Sequence, residues 1–214
     1  MMMKSLLVSI ALTLTVSAQA AELPRMQRQG EVTQLFVDGQ PFLIRGGELG
    51  NSSGEPEYLQ PFWPKLKAMN LNTVVAPVYW NLIEPSEGRF DFASLDGLLQ
   101  GARANQMRLV LLWFGSWKNS MSTYAPEWVR LDSHRFPRAR DATGRSVEIL
   151  SPFNAANRDA DARAFKALMR HLRESDAEHT VLIVQVENEI GMIPDARDHS
   201  AEAERAWSAQ VPAA

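Results

Sequence analysis

No cysteine occurs anywhere in the 214 residues. A disulfide framework, a lipid-modified cysteine anchor and a thiolate nucleophile are excluded together. Basic runs are also missing: 22 Lys and Arg face 25 Asp and Glu, for a net charge of −3. Such a surface is a poor match to nucleic-acid phosphates, and no nucleic-acid partner is expected. The four histidines, at 134, 171, 179 and 199, fall in no metal-ligand pattern. "RGGELG" (Arg45–Gly50) lacks the glycine spacing and the Lys-Ser/Thr of a phosphate loop. No metal or cofactor is therefore expected, and a doubly wound nucleotide-binding fold is the weaker choice.

Long apolar runs are scarce as well. Leu6–Val16 spans 11 residues, short of the ~20 that cross a bilayer. It follows Lys4 and precedes Ala18-Gln19-Ala20, the small residues of a cleavage site. Residues 1–20 thus read as a secretory signal peptide, cleaved after Ala20 or Ala21. The expected location is periplasmic or secreted, with no membrane attachment after cleavage. Residues 21–214 form the remaining unit, and a composition of 45% hydrophobic and 22% charged residues suits a globular core.

Asp38-Gly39 lies between the apolar runs Leu35–Val37 and Phe42–Ile44, a strand–turn–strand signal. A helix is expected over Tyr58–Met69, a strand over Thr73–Pro77, a helix over Leu95–Ala104 and a strand over Arg108–Phe114. Gly115 to about Asn157 reads as irregular. A helix over Arg163–Leu172, a strand over Val181–Val186 and a helix from Ala201 to Trp207 complete the pattern. Strands and helices alternating at this spacing imply βα units around a parallel sheet. Val181–Val186 reads as buried on both faces.

Polar and aromatic residues gather after the strands: Glu48, Trp80-Asn81, Trp117-Lys118-Asn119 and Asn188-Glu189. Ligand sites of parallel α/β folds lie at the carboxyl ends of strands. An unpartnered carboxylate inside a core costs several kcal/mol, ~2–7 by transfer estimates for polar groups and more when charged. The acids of "VLIVQVENEIG" (Val181–Gly191) therefore stand at a solvated rim or do chemistry there.

Three segments resemble glycoside hydrolase family 35, the β-galactosidases. "QVENEIG" is similar to that family's strand-four motif. "YWNLIEPSEGRFDF" resembles its strand-two motif, and "LLWFGSWKNSMSTYAPEWV" resembles strand three of a bacterial branch. In order they cover most of Phe36–Gly191. The resemblance implies a (β/α)8 TIM barrel of which about the first four βα units fall within this sequence. Residues 21–214 would be the N-terminal part of its catalytic domain.

The resemblance also implies roles. Glu189 matches the general acid/base, and Asn188 the amide that holds the sugar 2-hydroxyl. A leaving sugar oxygen needs a proton near neutral pH, and a bond to the 2-hydroxyl strengthens as the anomeric centre becomes cationic. The second carboxylate of a retaining mechanism belongs at the end of strand seven, outside these four units, so this chain alone is expected to be inactive. Glu187 is too close in sequence to replace it; on an alternating strand it would share a face with Glu189, as a catalytic neighbour or a structural residue. Glu48, Trp80, Asn81, Trp117, Lys118 and Asn119 are candidates to bind substrate. So is Tyr79, because Pro77 stands where the family often has Tyr. Trp80, Trp113, Trp117 and Trp128 can equally be core, and Glu84 reads as structural. The expected substrate is a terminal β-galactosyl residue on an oligo- or polysaccharide. The alternatives are another clan member, such as a β-glucanase or β-mannanase, and an inactive carbohydrate-binding remnant. The sequence carries no mark of oligomeric state.

Overall fold

A computed structural model describes residues 22–119, 121–192 and 195–211, so residues 1–20, read above as a signal peptide, lie outside the described residues. Strands β1 (Arg25–Gln29), β2 (Val32–Val37) and β3 (Gln40–Pro41) form an antiparallel meander. Its turns need left-handed backbone, supplied at Gly30 (φ 61°) and at Asp38-Gly39 (φ 50° and 74°). The Asp-Gly hairpin is present, but its return strand is only two residues long. Leu43 and Ile44 leave the ladder and are exposed. No apolar signal marks β1, which pairs through polar residues.

β4 (Gly46–Glu48) follows, then helix α1 (Pro56–Leu59), a 3-10 turn (Gln60–Phe62) and α2 (Trp63–Ala68). The single helix expected over Tyr58–Met69 is thus broken. A proline sits in the first turn of each piece, where it donates no bond and resists continuation of the preceding turn. The chain continues through β5 (Thr73–Tyr79), α3 (Trp80–Ile83), α4 (Ala93–Ala104), β6 (Arg108–Phe114) and α5 (Glu127–Arg130). After β7 (Arg138–Arg140) and β8 (Ser146–Leu150) come α6 (Ala155–Ser175), β9 (Val181–Val186) and α7 (Ala201–Trp207). The segment expected to be irregular therefore holds α5 and the antiparallel pair β7–β8. That pair is closed by a turn at Asp141–Gly144 with Gly144 at φ 82°.

β4, β5, β6 and β9 form one parallel sheet in sequence order. Val74, Ala76, Val78, Leu109, Leu111 and Trp113 point from one face into the main core. They meet Leu95, Leu98 and Leu99 of α4 and Ala160, Ala164 and Leu168 of α6. The opposite face carries a smaller layer, Tyr79, Leu112 and Phe114 with Val75, Leu82 and Tyr124. Helices on one face and side chains layered on the other are four consecutive units of a (β/α)8 barrel. β9 is not buried on both faces as expected: Ile183 is 45% and Val186 60% exposed. It is an edge of the described sheet, so no neighbouring strand covers its far side.

Candidate active site

The register sets the level of the site. Tyr79 pairs with Phe114, Leu112 with Gln185 and Trp113 with Val186. Tyr79, Phe114 and the residues just beyond Val186 therefore stand together at the carboxyl rim. Glu48 pairs with Val75, four residues short of Tyr79, which is about 13 Å lower along the strand. Glu48 is exposed but well below the rim.

β9 ends at Val186, and alternation ends with it. Glu187 (φ 61°) and Glu189 (φ 41°) both adopt left-handed backbone, a conformation that costs roughly 1–3 kcal/mol each and gathers at functional sites. The kink sends the two acids different ways, so they do not share a face as expected. Glu189 is exposed, and its Oε2 accepts a bond from Lys118 Nζ at 3.1 Å. Lys118 is itself buried, with its ammonium 5.9 Å above the Phe114 ring. Between them, Asn188 Nδ2 donates to the Lys118 carbonyl at 2.9 Å, and Asn188 Oδ1 accepts from Gln185 Nε2 at 2.7 Å. The two loops after β6 and β9 are stitched together at their catalytic candidates.

Glu187 turns back toward α6. Its Oε2 accepts from the Trp117 backbone N–H at 2.9 Å, and its Oε1 lies 3.4 Å from Ser116 Oγ. Burial, and next the hydrogen bond and charge of Asp161, push its carboxyl up to about 10. Asp161 is buried and accepts three bonds: from Trp113 Nε1 at 2.8 Å, Ser116 N at 2.7 Å and Ser116 Oγ at 2.5 Å. Gly115 is required beside it, because a Cβ there would lie 2.5 Å from Asp161 Oδ2. Sequence reasoning did not find Asp161. The available signal was Asn157 and Asp161, polar residues four apart on the same inward stripe as Ala160, Ala164 and Leu168.

The remaining candidates take several positions. Tyr79 is buried at the rim, accepting from Gly54 N–H at 3.0 Å, with Tyr124 packed against it at 4.9 Å between ring centroids. Burial pushes the Tyr79 phenol up to about 12. Asn81 is exposed and its N–H is held by the Tyr124 carbonyl. Asn119 Oδ1 accepts from Met121 N and Ser122 Oγ, holding its own turn. Trp80 is wholly buried on the helix side, edge-on to Trp128, with Nε1 bonded to Glu84. Trp117 packs among Ala139 and Ile149 and donates Nε1 to Leu150 O. Glu84 is buried and receives Trp80 Nε1, Gly88 N and Arg163. Among the described residues, no three His, Asp or Glu gather to hold a metal ion.

What this rim can do is offer one exposed carboxyl for proton transfer, beside a buried cation and a fixed amide. The model of glycoside hydrolase family 42, described as beta-galactosidase, matches residues 55–211. A β-galactosidase of Xanthomonas manihotis is 29% identical over 203 residues, covering 91% of this chain and 31% of that protein. Beta-galactosidase-1-like protein 3 of Homo sapiens is 44% identical over 57 residues, 27% of this chain and 9% of its own length. Among solved structures, a catalytic mutant of a family 42 β-galactosidase from G. stearothermophilus superposes with a TM-score of 0.59. It is 22% identical and covers 78% of this chain and 24% of that one. The chain spans about a third or less of the length of these proteins. The strand motifs resemble family 35, yet the matching family model is that of family 42: the relation to β-galactosidases holds, and the family number differs.

Proposed function

The chain belongs to glycoside hydrolase family 42, the β-galactosidase family, and from that premise we propose that it carries the acid/base half of a retaining β-galactosidase site. The substrate is a terminal β-galactosyl residue of an oligo- or polysaccharide. Glu189 protonates the leaving oxygen and then activates water, while Asn188 holds the 2-hydroxyl. These roles rest on the family 35 resemblance of "QVENEIG". The observation that carries the reading is the placement of Asn188-Glu189 at the rim of the fourth parallel strand, with the carboxyl of Glu189 exposed. A retaining mechanism needs a second carboxylate about 5–5.5 Å from the first. We assign that role to strand seven of the barrel.

The test is a panel of aryl β-galactosides, β-glucosides and β-mannosides with an enzyme whose barrel includes strand seven, as wild type and as Glu189→Gln. Galactosides should be hydrolysed fastest. Glu189→Gln should slow substrates with poor leaving groups about 10²–10⁴-fold and activated ones much less, since only the former need the proton. A preference for glucosides, or equal losses on both kinds of leaving group, overturns the assignment. We also propose export, from the Lys4–Ala20 segment; mass spectrometry of the mature protein should find a terminus at Ala21 or Glu22.

A further inference from the structure

Two acids that meet without a cation between them share a proton or repel. Glu187 and Asp161 both reach the Ser116 hydroxyl, at 3.4 and 2.5 Å, and both line a cleft of about 490 Å³ with Trp117, Phe165, Val186 and Ile190. The groups around the pair decide which acid keeps the proton. Asp161 receives the Trp113 indole N–H, the Ser116 N–H and the Ser116 hydroxyl. Three donors already point at the Asp161 oxygens, so that side chain is placed to accept. Glu187 receives a strong bond only from the Trp117 N–H. The other charged group lining the cleft is Arg158 of α6, whose guanidinium is engaged by Asp159. Lys118, in the same loop, is committed to Glu189. Among the described residues, no cation pairs with Glu187.

We propose that Glu187 is a positioning residue, a neutral carboxylic acid whose O–H donates to the Asp161 carboxylate while its carbonyl oxygen accepts from Trp117 N–H. It thereby pins the start of the Glu187–Glu189 kink to the loop after β6 and to α6. The next residue, Asn188, is bonded to Trp117 and Lys118, and Glu189 to Lys118. Anchoring Glu187 therefore fixes the direction in which Glu189 projects. The pair also explains why a carboxylate can follow an apolar strand without solvent around it. Burial and Asp161 both oppose ionisation of Glu187. The consequence for Glu189 rests on the functional reading above, whereas the proton sharing does not.

A glutamine reproduces the neutral acid: its amide N–H₂ donates to Asp161 and its carbonyl accepts from Trp117. The folded carboxyl titrates far above its ordinary value of 4.5. Its contribution to stability is therefore fully present below pH 4.5 and is lost progressively as pH rises toward about 10. Thermal melts of the purified wild-type protein, Glu187→Gln and Glu187→Ala between pH 5 and 9 read this directly. Wild type should lose melting temperature as pH rises. Glu187→Gln should flatten that slope and melt above wild type at pH 9, and Glu187→Ala should melt below both at pH 5. A Glu187→Gln curve lying below wild type and parallel to it throughout shows an ionised Glu187 and overturns the proposal. In the aryl β-galactoside assay Glu187→Gln should keep kcat within about threefold. Glu187→Ala should lose on the order of a hundredfold, as expected for a misdirected acid. A Glu187→Gln loss as large as that of Glu189→Gln would show a direct chemical role instead. If a barrel that includes strand seven hydrolyses no aryl β-galactoside, the functional reading fails and the melts decide the assignment of Glu187 by themselves.

Discussion

β6 and β9 are neighbours in one sheet with nearly equal length and apolar content, yet they live in different surroundings. In β6, Leu109, Leu111 and Trp113 are fully buried, and Leu112 and Phe114 are nearly so. In β9, Ile183 and Val186 stand open. The first strand is flanked by β5 and β9 and covered by α4 and α6; the second has a strand on one side only. Burial is therefore a property of the neighbours and not of the strand's own composition. A functional difference follows. The loop after β6 seats a buried Lys118, while Asn188 and Glu189 after β9 are held by bonds to that same residue.

The comparison can be broken most severely at Trp113, which fills the space between the sheet and Phe165 and donates to Asp161. Trp113→Ala should cost about 3–5 kcal/mol in urea denaturation. Val186→Ala on the neighbouring strand should cost less than about 0.5 kcal/mol, as for an ordinary surface change. Comparable losses at the two sites would mean that β9 is covered in solution. An intermediate effect is expected at Tyr79. Tyr79→Phe leaves the buried Gly54 N–H without an acceptor and should cost about 1–3 kcal/mol. In the wild-type protein one of the three tyrosines should ionise near pH 12, followed by absorbance at 295 nm. The Tyr79 phenol's contribution to stability is present below pH 10 and lost as pH rises through about 12. The smallest effect on stability belongs to Val186→Lys. The change should leave denaturation nearly unaltered but shift size-exclusion elution toward a smaller species, because a charge discourages edge-to-edge pairing. An unchanged elution volume would show that β9 does not drive association.

How much of this was legible depended on whether a segment's own residues or its partners decide its shape. Thr73–Pro77, Arg108–Phe114 and Val181–Val186 lie within observed strands and were signalled by their own apolar and β-branched residues. β4 is Gly-Gly-Glu and becomes a strand only by pairing with Thr73–Val75; nothing local announces it. β7–β8 was within reach, since Asp141-Ala-Thr-Gly144 is a turn signal ahead of Val147 and Ile149. In the site, the Asn188-Glu189 motif and its rim position were readable. The parting of Glu187 from Glu189 was not, because alternation was extended past the last paired residue. Trp80 and Trp117 left both readings open by composition alone, and the structure places both among core side chains.

Asp176 bears on the order in which the chain acquires its shape. Its two oxygens accept the Thr180 and Val181 N–H groups, closing the short connection between α6 and β9, and Arg103 at the end of α4 reaches the same carboxylate. The bonds to Thr180 and Val181 span only four and five residues, so this corner closes with little loss of chain entropy, whereas β4 must wait for a partner 27 residues away. The helix-to-strand corner is therefore expected to form early. Asp176→Asn should slow refolding more than it speeds unfolding, and stopped-flow measurements showing the reverse would place the corner among the late events.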